Sequence, residues 1–291
     1  MKITLGKIAR ITITLAIPAT LHAANLAFDN ASSSAYNGGW EDGSNGGTGW
    51  GSWSLTASGA DSGFFVSSST TNGNGADDGD IGGLPGDFDI DTTAGLIGTG
   101  PNSQVTTPVS LGMFTGLFER AEASRGFTGG ALGVGQSFII DFDNGFLNPS
   151  GSFGIDLLNA GGDILWQLQY AVGDASYSYS RGSNPELSPT TVGFGTEGLS
   201  LAFKLRDSTF YSMSLERRDG EIYDSGAGFL NFNDDLEITQ VRIFADGTGG
   251  IIPGDVTTDF FINSMMVIPE PSTSLLVALA GIGLLLRRSR P

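Results

Sequence analysis

Carboxylates carry most of the chemical capacity of this 291-residue chain. There is no cysteine, and the single histidine, His22, lies near the amino terminus. Downstream of it, Ser-His-Asp and Cys-His catalysis, zinc sites built on His or Cys, haem ligation, iron-sulfur clusters and disulfides are all excluded. What remains is acid-base work by Asp and Glu, hard-cation binding through oxygen, and recognition by aromatic or polar surfaces.

Two carboxylate pairs have spacings worth weighing. Asp141 and Asp143 alternate with Phe138, Ile140 and Phe142, which places both on one face of a strand. Glu119 and Glu122 stand three apart, a helical spacing. Two acids about 5.5 Å or about 6.5 to 9.5 Å apart can cleave a glycosidic bond. For the aspartate pair, a calcium or turn-capping role beside Asn144-Gly145 competes with catalysis. A third cluster, Asp77, Asp78, Asp80, Asp87, Asp89 and Asp91, falls in a glycine-rich stretch from Thr70 to Gly100. It reads as a solvated acidic loop, with calcium (Ca2+) as the specific alternative, since that ion takes six to eight oxygen ligands. The EF-hand spacing and its closing glutamate are absent.

Aromatic residues supply the second kind of candidate. Tyr36, Trp40, Trp50 and Trp53 sit in a polar run from Ala31 to Trp53 whose glycines rule out a helix. The rings could form a stacking platform for sugars, or they could anchor a long loop and first strand onto a core. Tyr177 and Tyr179, in Ser-Tyr-Ser-Tyr-Ser, pose the same choice between carbohydrate contact and an ordinary sandwich face.

The elements that must position these groups are strands. Ser52 to Ser58 and Gly63 to Ser69 read as a first pair around a turn. Phe138 to Asp143 runs into the hairpin signal Asn144-Gly145. Phe153, Ile155 and Leu157 make the next apolar face, and Ile164, Trp166, Leu168 and Tyr170 follow after a turn at Ala160 to Gly162. Leu199, Leu201, Phe203 and Leu205 point inward against Ser200, Lys204 and Arg206. Tyr211, Met213 and Leu215 repeat that pattern, Asp219-Gly220 turns the chain into Glu221 to Tyr223, and Ile238 to Phe244 and Asp259 to Ile268 complete the series. No amphipathic helix longer than two turns and no forty-residue repeat interrupts it. The fold class expected is all-β: a two-sheet antiparallel β-sandwich of about a dozen strands. A jelly roll resembling the concanavalin A-like lectin and glucanase fold is the first choice. Jelly-roll glucanases usually carry a Glu-x-Asp-x-Glu string on one strand face, and no such string is present here.

The two ends are addresses. Lys2, Lys7 and Arg10 precede the apolar Ile11 to Ile17 and the small residues Ala19, Ala23 and Ala24: a secretory signal peptide, residues 1–24, handled by the Sec export machinery. At the other end Pro269-Glu270-Pro271 stays extended, because proline fixes φ and removes an amide donor. An apolar run follows to Leu286, then Arg287, Arg288 and Arg290. Residues 272–286 would span about 22 Å as a helix, short of the roughly 30 Å hydrocarbon core but feasible with thinning and snorkelling arginines. Arginines flanking such a segment stay cytoplasmic, so residues 25–268 would lie outside. Setting the two signals aside removes six of the fourteen basic residues and one of the 31 acidic ones, leaving 30 against 8, a net charge of −22. That surface repels nucleic acid and anionic lipid.

Pro269-Glu270-Pro271, a short apolar helix and a terminal Arg cluster resemble the PEP-CTERM sorting signal of Gram-negative bacteria. The resemblance implies an exosortase as processing partner, a transient inner-membrane anchor, and release to the cell surface or extracellular matrix, typically in exopolysaccharide producers. The run of tyrosine, glycine-tryptophan, glycine-rich turn and tryptophan from Tyr36 to Trp53 is similar to the amino-terminal region of many uncharacterised PEP-CTERM proteins. The expected function is a non-catalytic structural or adhesive one associated with exopolysaccharide. The second reading is a lectin-like carbohydrate-binding module, calcium-dependent or not; a carboxylate glycosidase ranks below both.

Overall fold

A computed structural model describes residues 26–67, 109–144, 147, 150–182, 184–194, 198–217, 220–230, 237–249 and 259–269. Among these, strands dominate and the only helical element is one 3-10 turn, Ser34–Tyr36. In chain order the strands are β1 (Ala27–Asn30), β2 (Ser54–Ala57), β3 (Ser62–Ser67), β4 (Ser110–Thr115), β5 (Arg120–Gly126), β6 (Ser137–Asn144), β7 (Ser152–Leu158), β8 (Ile164–Ala171), β9 (Ser178–Arg181), β10 (Asn184–Pro189), β11 (Leu199–Leu205), β12 (Phe210–Arg217), β13 (Ile222–Asp224), β14 (Gly228–Phe229), β15 (Gln240–Asp246) and β16 (Phe260–Ile268).

They build two antiparallel sheets of the expected sandwich class. The nine-stranded sheet runs β13-β12-β11-β6-β16-β4-β3, with β1 beside β16 and β14 beside β12; the seven-stranded one runs β10-β9-β8-β7-β15-β5-β2. The alternation read from the sequence sets the inward faces. Leu199, Leu201, Phe203 and Leu205 are buried from β11, and Tyr211, Met213 and Leu215 from its partner β12. From the other sheet come Phe153, Ile155, Leu157, Val241, Ile243 and Ala245. Rings meet across the gap: Trp166 lies 5.2 Å from Phe203, and Phe153 lies 5.2 Å from Phe260. Such pairs add to the apolar area removed from water, which is the main driving term for a chain without disulfides.

Two irregularities reset the alternation. The register of β16 slips between Ile262 and Ser264, so Phe260 and Ile262 face the core before the bulge and Met265 and Val267 after it. Without that extra residue the second half would turn its apolar side to the outer face. A second slip, where Leu157 pairs with Trp166 and Leu158 with Ile164, places Leu165 fully inside and leaves Ile164 partly exposed. Strict period two puts Ile164 inward instead.

The expected first strand pair is also rearranged. β2 and β3 follow each other across a short turn, yet β2 pairs with β5 in one sheet and β3 with β4 in the other. The chain crosses the sandwich there rather than making a hairpin. The hairpins at β7-β8 and β12-β13 form as their turn residues dictate, with Gly162 at φ +86° and Gly220 at φ +98°.

Candidate functional site

The aromatic segment closes on a buried arginine. Along β5, Ala121, Ala123 and Arg125 face inward, and Arg125 is only 2% exposed. Its Nη1 pairs with Asp29 of β1, its Nη2 donates to Gly46 O (3.2 Å), Asn45 Oδ1 (3.1 Å) and Gly51 O (2.8 Å), and its Nε also donates to Gly51 O. The guanidinium carbon lies 4.7 Å from the Trp53 ring centre and 5.1 Å from that of Trp50. Tyr36 donates its hydroxyl proton to Asp29 and accepts from Trp53 Nε1 at 2.9 Å. Burial first, and the Asp29 carboxylate second, push the Tyr36 phenol far above its ordinary range, so it remains a neutral donor.

Trp40, Trp50 and Trp53 are 3%, 2% and 1% exposed, and Trp40 packs edge-on against Trp53 and Phe64 at 5.1 and 5.3 Å. The sugar-platform reading is corrected here: of the two roles open to these indoles, the core-anchor role is the one observed. Rings already packed against one another and against a cation have no free face on which a pyranose could stack. Gly47 and Gly49, at φ +73° and +76°, let the loop lie against β1; a Cβ would come within 1.9 Å of Phe28 O and 2.2 Å of Leu26 O respectively. The sequence carries no sign of Arg125, since an inward arginine breaks the alternation by which cores are read.

The tyrosines behave alike. Tyr177 is 1% exposed, among Phe142, Phe153 and Tyr170. Tyr179 lies partly buried at the sandwich edge, its hydroxyl 3.3 Å from that of Tyr223 on the opposite sheet. Tyr177 is thus a buried sandwich-core residue, and Tyr179 packs against the core from its partly exposed place at the edge.

The carboxylate pairs do not assemble into an accessible acid-base site. Asp141 and Asp143 do share a face of β6, but both have no solvent exposure. Asp141 Oδ2 accepts from Ser264 at 2.9 Å and the carboxyl also accepts from Ser200. Burial, reinforced by Glu216 and opposed by the two serines, pushes Asp141 up to about 8. Glu119 lies just before β5, whereas Glu122 points outward from it to Arg120 at 2.7 Å. Three-residue spacing separates faces on a strand, although it would unite them on a helix.

A cleft of about 730 Å³ opens beside the aromatic loop. Ser32, Ser33, Asn37 and Glu41 supply hydroxyl, amide and carboxylate groups, and Trp40, Phe64 and Phe65 supply apolar wall. Asn37 and Glu41 are exposed. Among the described residues, no group of three or more His, Cys, Asp or Glu is arranged to hold a metal. Asp77, Asp78, Asp80, Asp87, Asp89 and Asp91 lie outside the described residues, as do Glu270, Pro271, Arg287, Arg288, Arg290 and the signal peptide.

β16 ends at Ile268 and Pro269 follows at once, so the sandwich stops where the tail begins. A family model for the PEP-CTERM protein-sorting motif matches residues 267–290. The chain carries a PEP-CTERM sorting motif. That motif is a signal for exosortase processing and marks an exported protein that passes through the membrane. No curated protein matches the sequence. Among solved structures, the fold is similar to a carbohydrate esterase of Shiga toxin-encoding bacteriophage phi24B (13% identity, 84% of this chain and 98% of that one, TM-score 0.44). It is also similar to a protein of unknown function from Shewanella oneidensis (12%, 75% and 78%, TM-score 0.41) and to a galectin of Caenorhabditis elegans (10%, 47% and 85%, TM-score 0.32).

Proposed function

We propose that this exported protein serves a non-catalytic, adhesive role at the cell surface or in the extracellular matrix, and that it holds a neutral glycan of the surrounding exopolysaccharide in the cleft beside Trp40. The observation that carries the reading is the lining of that cleft: hydroxyl, amide and carboxylate groups from Ser32, Ser33, Asn37 and Glu41 opposite the partly exposed apolar wall of Phe64, Phe65 and Val66. Sugars present both kinds of surface, hydroxyls around the rim of the ring and C–H groups on the faces above and below it. The burial of Asp141 and Asp143 and the engagement of Glu122 with Arg120 support a role without acid-base chemistry. The sorting motif supplies the compartment. Binding of the exported protein to its producer's exopolysaccharide and to a panel of neutral glycans, with calcium and with a chelator, tests the proposal. Saturable binding weakened by Asn37→Ala with Glu41→Gln supports it. A folded protein that binds no glycan under either condition refutes the glycan and leaves a purely structural surface role.

A further inference from the structure

Both ends of the sandwich leave from one pole. β16 finishes at Ile268, and Leu26, the residue before β1, donates its amide to Val267 O at 2.9 Å. β6 begins beside them, with Ser137 opposite Ile268 and Val134 just ahead of it in the chain. β5 arrives at the same pole: it starts at Arg120, close after Phe118, and ends at Gly126, with Phe127 following. A recess of about 150 Å³ opens there, walled by Leu26, Ala27, Phe127, Ala131, Leu132 and Val267. Its lining holds one polar side chain, Gln136, and no charged one. Leu26 and Val134 stand 49% and 61% exposed at this pole. Phe229, 44% exposed and packed against Phe210, lies at the same end of the nine-stranded sheet.

The tail decides what covers this surface. Pro269-Glu270-Pro271 alone separates the last strand residue from the apolar segment 272–286. From Ile268 to residue 272 the chain reaches at most about 14 Å, and the headgroup layer it must cross is roughly 5 to 8 Å thick. With 272–286 in the bilayer, the pole is therefore held less than about 10 Å from the lipid surface. We propose that, until the tail is cut, this pole docks on the membrane, with Leu26 and Val134 entering the interface and the uncharged recess facing lipid. An apolar face buried at the headgroup boundary gains free energy without any protein partner. Arg206, Asp207 and Glu237 stand exposed in the connections around the pole, and the net charge of −22 opposes anionic lipid. The contact is accordingly apolar and depends on the tether, which supplies a high effective concentration. Docking holds Pro269-Glu270-Pro271 at the membrane surface for processing, and cutting there removes the tether and lets the acidic domain leave. The inference rests on insertion of 272–286 and is independent of the glycan cleft.

Because the chain has no cysteine, one introduced thiol carries one label. The full chain is reconstituted in phosphatidylcholine vesicles that contain a nitroxide-bearing lipid. A fluorophore is placed on Gly129→Cys, where a Cβ meets nothing within 4 Å, or on Phe118→Cys, 88% exposed at the opposite pole and roughly 20 Å away along β5. Quenching at 129 and not at 118 is expected. Leu26→Asp with Val134→Asp alters two exposed side chains and keeps the tether; with the label at 129 it should lower the ratio of docked to free pole about tenfold or more. Flotation with the vesicles verifies insertion of the tail, and unchanged near-ultraviolet circular dichroism verifies folding. A chain that fails to float removes the span on which the docking rests. With the chain inserted, no quenching at 129, equal quenching at 129 and 118, or full quenching in the folded double variant would overturn the docking.

Discussion

Arg125 and Asp29 form an ion pair inside the sandwich, their side chains 0% and 2% exposed, with Trp53 and Trp50 packed against the guanidinium. The pair joins β5 of one sheet to β1 of the other and carries the glycine-rich loop between β1 and β2 on its remaining donors. Removing one partner strands the other charge away from water. Arg125→Met or Asp29→Asn should therefore cost about 3 to 5 kcal/mol, a fall in Tm of roughly 10 °C for a domain of this size. Arg125→Lys should not rescue it, because an ammonium cannot span the same fork of acceptors. Denaturant unfolding followed by tryptophan fluorescence measures the loss, and a change below about 1 kcal/mol would remove the arginine from its organising role.

Trp50→Ala distinguishes a core ring from a ligand ring. With the indole 2% exposed, truncation should cost about 3 to 5 kcal/mol, and any fall in glycan binding should track the fall in Tm. Loss of binding at unchanged Tm would restore the platform reading.

Gly49→Ala adds one methyl where no space exists. At φ +76° and with Leu26 O 2.2 Å from the position of the new carbon, the loop must lift off β1. A destabilisation of at least about 2 kcal/mol is expected, together with faster proteolysis between residues 31 and 53. Gly43→Ala shares the positive φ but meets nothing within 4 Å, and should cost about 1 kcal/mol.

Asp141 makes stability depend on pH. Its folded value, raised to about 8 chiefly by burial, exceeds the ordinary 3.8, so the folded state holds the proton more tightly than the unfolded one. The contribution is fully present below pH 3.8, declines as pH rises between the two values, and is gone above about 8. The slope in that window is at most about 1.4 kcal/mol per pH unit. Facing groups are Ser264 on β16, Ser200 on β11 and Glu216 on β12. Asp141→Asn, which copies the protonated shape, should flatten the profile and raise stability at pH 8. Urea midpoints at pH 5, 7 and 8.5 are the measurement, and an unaltered slope would assign the titration to another group.

Replacement of Pro269-Glu270-Pro271 by three alanines should leave the protein at full length in the inner membrane, since the extended, amide-poor segment is what a processing enzyme reaches. Cell fractionation and blotting decide; normal release of the variant would show that sorting uses other residues.

Features that depend on local order are legible in the residues themselves. Period-two alternation is a property of neighbouring residues, so the inward faces of β6, β7, β11 and β12 were readable from their residues alone, as were the β7-β8 and β12-β13 turns. Export was equally legible, because a sorting signal is read as a linear string. The absence of cysteine, and of any histidine after His22, set the limits of the chemistry before any fold was known. Where long-range partners fall is set by packing, not by local order. β2 and β3 are neighbours in sequence and part company between sheets, because each pairs with a strand supplied from elsewhere in the chain. The bulges at Asn263 and Leu165 move core residues by one position, which alternation alone cannot foresee. Above all, Arg125 is 96 residues from Asp29, and their meeting made Trp50 and Trp53, candidate ligand contacts in the sequence, the walls of a buried charge. A ring looks the same in the sequence whether it faces a sugar or a guanidinium; burial separates the two, and burial is a property of the packed chain.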